Sequence, residues 1–260
     1  MKWTKLKLSN YITTSALGKS EITLKNGGLS NATKDIILGI SSGLVQSHSD
    51  WQNTVMINNI QANGGTCSAL GPLITPATGI ALMGLWSQKL SPNVVKSNII
   101  NQFPSKTIVE LKSYFKNLCE SIASGFVVSF NQWLDTTSIN NIIITGGICS
   151  CQSPPSSPIG SYSNGIGNLS ILEGNIPVKL QKSVIKNNII AYLKGTVRLN
   201  ESGNATKYLL QFIDSVSEGI INMHNEWLSG TQIINIQVNG GTSTFLGPLI
   251  SSIGSNGVIK

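Results

Sequence analysis

Few side chains in this 260-residue chain could do acid-base, nucleophilic or metal chemistry. The candidates are two histidines, His48 and His224, four cysteines, Cys67, Cys119, Cys149 and Cys151, and 11 carboxylates. A histidine is the usual general base or metal ligand near neutral pH. Here both stand three residues before a tryptophan, Trp51 or Trp227, and the matching position before Trp133 is Phe130. A position that accepts Phe reads as packing at the edge of a helical stripe. Asp50 and Glu226 directly precede the same tryptophans, with Gln132 as the third occupant, and read as solvated helix ends. No two acids fall at a spacing that sets an acid/base pair on one element. Cys149-Ser150-Cys151 offers two sulfurs to a metal, but no histidine is near and Cys119 falls on an expected helix, so free thiols are the reading. Asn-Gly-Gly-Thr, at 63–66 and 239–242, invites comparison with a phosphate loop. Such a loop needs a helix N-terminus and usually a lysine after the glycines, whereas a charge-free, proline-containing stretch follows here. The expectation is therefore no catalytic, cofactor or metal site, and a chain that is not an enzyme.

The same comparison exposes a stretch written three times, centred on Trp51, Trp133 and Trp227. Eight residues before each Trp stands a glycine: Gly43, Gly125 and Gly219. After it come Asn59-Ile60, Asn141-Ile142 and Asn235-Ile236. Then follow the pairs Gly64-Gly65, Gly146-Gly147 and Gly240-Gly241, and a proline at Pro72, Pro154 and Pro248. The first and third copies also share Leu-Gly-Pro-Leu-Ile, beginning at Leu70 and Leu246. The candidate structural and interface residues are thus the three tryptophans, the three helix glycines, the Gly-Gly pairs, and Leu70, Pro72, Leu246 and Pro248.

The residues before each Trp carry apolar side chains at helical spacing. They are Ile108, Leu111, Phe115, Cys119, Ile122, Phe126, Phe130 and Trp133 in the second copy, and Leu209, Phe212, Val216, Ile220, Met223 and Trp227 in the third. Asn31, Ser105 and Asn204 are the expected N-caps. A glycine inside a helix costs roughly 1 kcal/mol relative to alanine. Three equivalent glycines predict close approach of another backbone, helix on helix around a pseudo-threefold axis. Residues 1–30 read as strands, since Lys5-Leu6-Lys7-Leu8 and Glu21-Ile22-Thr23-Leu24-Lys25 alternate with period two and Asn26-Gly27-Gly28 signals a turn. Gly195-Thr196-Val197-Arg198-Leu199 reads as the same strand ahead of the third helix. Residues 89–102 and 178–192 read as linking strands or short helices. After each Trp a strand is expected, ended by the Gly-Gly pair and followed by an extended arm. The expected fold is α+β, with three internal repeats of strand, long amphipathic helix, strand, Gly-Gly turn and uncharged arm. They divide the chain at 1–88, 89–172 and 173–260.

Charge completes the reading. Charged residues make up 11% of the chain, against the roughly 25% of an ordinary soluble domain. Residues 51–88, 136–172 and 227–259 contain none. Neutral surface of this extent is expected where subunits or repeats cover it, because interface cores are depleted of charge. The net charge of +7 comes from lysines, with Arg198 the single arginine, so bidentate readout of nucleic acid is not expected. Residues 66–86 are long enough to span a bilayer but hold two prolines and three glycines, so no membrane helix is expected. The basic N-terminus lacks an apolar run behind it and does not read as a secretory signal.

Triplicated units, neutral Gly-rich arms, scarce charge and no reactive site together resemble bacteriophage virion proteins of the neck, baseplate or tail. That resemblance implies a structural subunit located in the virion, partnered by other protein subunits in a homo- or hetero-oligomer, with its arms reaching across neighbours. Removing the last arm, residues 242–260, would then leave a folded chain that assembles poorly. The alternative from another class is a repeat-type binding module that displays the arms as a ligand- or membrane-contacting face.

Overall fold

The computed structural model describes residues 2–67, 70–103, 112–144, 148–150, 161–168, 180–196, 203–239, 249–255 and 257–259. It is a mixed α+β molecule. Helices α1 (Lys5–Leu17), α2 (Asn31–Thr54), α3 (Pro92–Ile100), α4 (Lys112–Thr136), α5 (Lys182–Thr196) and α6 (Asn204–Gly230) gather at one side. Strands β1 (Met56–Ile57), β2 (Ile60–Cys67), β3 (Leu70–Ala81), β4 (Ile139–Ile144), β5 (Ile148–Ser150), β6 (Ser161–Asn168), β7 (Gln232–Asn239), β8 (Leu249–Ser255) and β9 (Gly257–Ile259) make up the rest. Every one of these strands lies inside one of the three charge-free stretches. The charge map of the sequence thus separates the helical part from the strand part. No helix among the described residues is long and apolar enough to cross a membrane.

The long helices form where the apolar stripe predicts them. Phe115, Cys119, Ile122, Phe126, Phe130 and Trp133 are buried on α4, and Leu209, Phe212, Val216, Ile220, Met223 and Trp227 on α6. Ile108 and Leu111 lie outside the described residues. Two caps are shifted by one residue: Ser30 caps α2, its side chain accepting from the Thr33 N–H, and Gly203 precedes α6, so Asn31 and Asn204 are the first helical residues. Ser105 lies outside the described residues.

The N-terminal region is helical, not stranded. Lys5-Leu6-Lys7-Leu8 opens α1, because Leu8, Ile12 and Ala16 recur every four residues and are buried on one face. Thr4 caps it by accepting from Lys7 N–H. Four alternating residues are too few to outweigh that longer period. Residues 21–25 form turns, with Ile22 N–H and Thr23 N–H both donating to Lys19 O, and Gly27 takes a left-handed φ of +81° that favours glycine. Gly195 and Thr196 close α5, and Val197, Arg198 and Leu199 lie outside the described residues. Both linking segments are helices, α3 with Pro92 at its first position and α5.

All registered strand pairs are antiparallel, in the order β1-β9-β7-β8-β2-β3-β4, with β5 on β3 and β6 on β7. Strand β4 also lies against β6, so the neighbours β7, β8, β2, β3, β4 and β6 close on β7, with β9 and β1 branching from it. The pair Gly64-Gly65 does not end its strand: β2 runs through it to Cys67, Gly64 pairing with Ala77 on β3 and Leu249 on β8. The other pairs, Gly146-Gly147 and Gly240-Gly241, lie outside the described residues. Nor do the described parts of the arms reach away from the chain. Leu70 and Pro72 belong to β3 and pair with Ser150 and Ile148, while β8 sits between β7 and β2. Leu246 and Pro248 lie outside the described residues.

Candidate functional site

Of the sequence-marked residues, the three tryptophans and the three helix glycines lie on the long helices, whereas Gly64, Gly65, Leu70 and Pro72 lie on β2 and β3. Each helix glycine sits where a short helix crosses a long one. A Cβ added at Gly43 would lie 2.4 Å from Ile99 Cα and 2.5 Å from Ile99 N, on α3. At Gly125 the corresponding atoms are Ile189 N at 2.5 Å and Cα at 2.6 Å, on α5. At Gly219 they belong to Ile12 on α1, with Cγ1 at 2.3 Å and the backbone farther off at 3.1 Å and 3.3 Å. The three isoleucines are fully buried, each contributing about 2 kcal/mol of apolar burial. Sequence reading found the glycines and missed their partners. Ile12, Ile99 and Ile189 are each preceded by four residues and by nine by buried apolar side chains: Leu8 and Trp3, Val95 and Leu90, Ile185 and Leu180. That spacing was available in the sequence.

Two of the crossings carry the same hydrogen-bond relay. Asn98 Nδ2 donates to Ser47 Oγ (3.0 Å), which donates to Gly43 O (2.8 Å). Asn188 Nδ2 donates to Ser129 Oγ (2.9 Å), which donates to Gly125 O (2.7 Å). At the third crossing both side-chain partners are exchanged together. Met223 stands in the serine position and Tyr11 in the asparagine position, and Tyr11 Oη donates to Glu226 Oε2 at 2.9 Å. Glu226, read from sequence as a solvated helix end, is thereby tied to α1, with Lys7 as its ion-pair partner. Asp50 accepts from Gln46 Nε2 at 2.7 Å on its own helix.

The three tryptophans belong to one aromatic cluster. Trp227 lies 6.1 Å from Trp51 and 6.1 Å from Trp133 between ring centroids, in edge-on arrangements favoured by aromatic quadrupoles. Trp3 and Trp86 join them, so all five tryptophans of the chain belong to one cluster. Trp51 Nε1 donates to Gln88 O and Trp227 Nε1 to Gln52 Oε1.

His48 and His224 stand in the middle of this cluster, not at the edge of a stripe as their spacing suggests. Both are buried, together with Phe130. Phe130 is 5.8 Å from His48 and 6.0 Å from His224. Neither ring nitrogen of either histidine has a hydrogen-bond partner. A neutral imidazole has one N–H donor and one acceptor, and a buried polar group left unpaired costs about 1–3 kcal/mol. Burial holds both imidazoles below the ordinary value of 6.5, His224 at about 3 and His48 well below 6.5, with His224 adding to the effect on His48.

Nothing in this arrangement places a nucleophile beside a base. Cys119 is buried on α4, and burial pushes its thiol up to about 12, so the reactive thiolate is suppressed. Cys149 lies on β5 and Cys151 outside the described residues. Among the described residues no group of three or more His, Cys, Asp or Glu could hold a metal ion. Compared with family models, curated proteins and solved structures, the chain matches none.

Proposed function

We propose that this chain is a non-enzymatic structural subunit of a large symmetric particle, of the bacteriophage virion type, in which three repeats are disposed about a pseudo-threefold axis. The observation that carries the proposal is the set of three glycine crossings: α3 on α2 at Gly43, α5 on α4 at Gly125, and α1 on α6 at Gly219. The first two join a long helix to the short helix that follows it in sequence. The third joins the last long helix to the first short one, and with α1 also against α2, α3 against α4 and α5 against α6, the six helices close a ring. A chain with internal threefold regularity offers a symmetric partner several equivalent contacts at once, and closed symmetry of this kind is the common mode of protein assembly. The uncharged strand region suits burial against other subunits. Because β3 and β8 pair within their own chain, inter-subunit contacts would use the outer faces of these strands, not free arms. Partners are other protein subunits, like or unlike, and the place of action is the virion.

The test is the mass of the purified chain in solution across concentration and salt. A discrete ring or concentration-dependent oligomer, insensitive to salt, is the expected result. A strict monomer that also fails to bind virion proteins would overturn the proposal.

One observation favours a binding or surface module instead. Met56 on β1, Ile80 on β3, Leu82 and Met83 just after β3, and Ile143 on β4 are exposed, Met83 by 66%. Lasting attachment of the chain to lipid vesicles would move that reading ahead.

A further inference from the structure

The two histidines carry an inference independent of assembly. Phe130, at the matching position of α4, occupies the same cluster with no polar atom to satisfy. His48 and His224 instead bring four unpaired nitrogens to the point where α2, α4 and α6 meet. We propose that His48 and His224 make the centre of the helix bundle a proton-operated joint, closed when both imidazoles are neutral and loosened when they take up protons.

The surroundings support this. His48 stacks on Trp3 at 4.2 Å, faces Trp227 edge-on at 5.0 Å and Phe130 at 5.8 Å. His224 lies against Trp133 at 4.6 Å, Trp227 at 5.5 Å and Phe130 at 6.0 Å. Thus α4, α6 and the segment before α1 present aromatic rings, and His224, which shares Phe130 and Trp227 with His48, is the titratable group whose charge acts on it. The carboxylates closest in sequence are engaged elsewhere, Asp50 with Gln46, Glu226 with Lys7 and Tyr11, and Asp135 with Lys89. Among the described residues no neighbouring anion receives the positive charge of an imidazolium. Stacking on Trp3 offsets only part of its desolvation.

The sign follows from linkage. Each histidine binds its proton more readily in the unfolded chain than in the folded one, so folding weakens as pH falls below 6.5. Between pH 7.5 and 5.0 the folding constant drops about thirtyfold for each imidazole and roughly a thousandfold for both. Carboxylates of ordinary pKa stay mostly ionised across this window.

The experiment is urea unfolding of the full chain at pH 7.5 and 5.0, followed by tryptophan emission, which reads the joint directly because all five tryptophans lie in it. His48→Phe and His224→Phe should each remove about thirtyfold of the drop, and the double variant should be nearly flat across the window. A double variant that keeps the whole pH dependence, or a wild-type chain equally stable at both values, would overturn the joint. Should the Phe variants not fold, NMR titration of the native imidazoles decides: both must stay neutral while the chain is folded at pH 5.0, and an imidazole titrating near 6.5 in the folded chain refutes the proposal.

Discussion

At the residue scale, Gly43, Gly125 and Gly219 each sit against an isoleucine of a short helix but do not have equal tolerances. Alanine would gain roughly 1 kcal/mol of helix propensity at each. At Gly43 and Gly125 the new Cβ would collide with the backbone of Ile99 or Ile189, which can retreat only by parting two helices. At Gly219 the nearest atom is the Ile12 side-chain Cγ1, and the backbone stands beyond 3.0 Å. Thermal and urea unfolding should therefore show Gly43→Ala and Gly125→Ala losing about 2–3 kcal/mol net, and Gly219→Ala less than half of that. Equal losses at all three sites would contradict this account of the crossings. The glycines were legible in the sequence because an unfavourable residue recurs in a favourable helix. The unpaired state of His48 and His224 was not, because spacing places a residue on a face without saying what faces it.

At the scale of elements, each short helix is fixed to two long ones, and ion pairs mark the second contact. Lys96 on α3 pairs with Glu120 on α4 at 2.6 Å, and Lys186 on α5 with Asp214 on α6 at 2.8 Å. The matching positions on α1 and α2 are Ser9 and Leu38, so both partners are absent together. Asp214 also accepts from Lys19, beyond the end of α1, at 2.7 Å and from Lys182 at 2.9 Å, and so ties α1, α5 and α6. These lysines hold its carboxyl well below the usual range despite its burial. Stability from a depressed carboxyl is present above its unfolded value of 3.8 and is lost as pH falls through the folded one. Asp214→Asn should cost about 2 kcal/mol at pH 7, given that the side chain is only 12% exposed, and should flatten the strongly acid limb of the stability curve. That limb lies below the histidine limb, so the two substitutions are separable by pH. An Asp214→Asn chain with unchanged stability at pH 7 would show the lysines to be solvated equally well without their anion.

For the whole molecule, the strand connections change what a truncation does. Strand β8 pairs with both β7 and β2, and β9 with both β7 and β1. Deleting residues 242–260 removes strands from between others and leaves their backbone groups unpaired. The truncated chain should show weakened or absent cooperative unfolding and protease-sensitive strands, in contrast to the folded but assembly-deficient product expected from sequence. Limited proteolysis and circular dichroism check this, and a truncated chain as stable as the full one would mean that β8 adds nothing to the fold.

The sequence by itself determined the long helices, their buried stripes, the glycine contacts and the separation of charged helices from uncharged strands, because each is a local or periodic property. Periodicity over four residues misread α1, since alternating Lys and Leu suits either structure until Ile12 and Ala16 extend the four-residue spacing. Only the tertiary structure decided that the described parts of the arms pair within the chain, that Ile12, Ile99 and Ile189 are the partners of the glycines, and that two imidazoles are enclosed without hydrogen bonds. Those facts depend on which distant segments meet, and a neutral Gly-, Ser- and Thr-rich strand has too little alternation of apolar and polar residues to announce its neighbour.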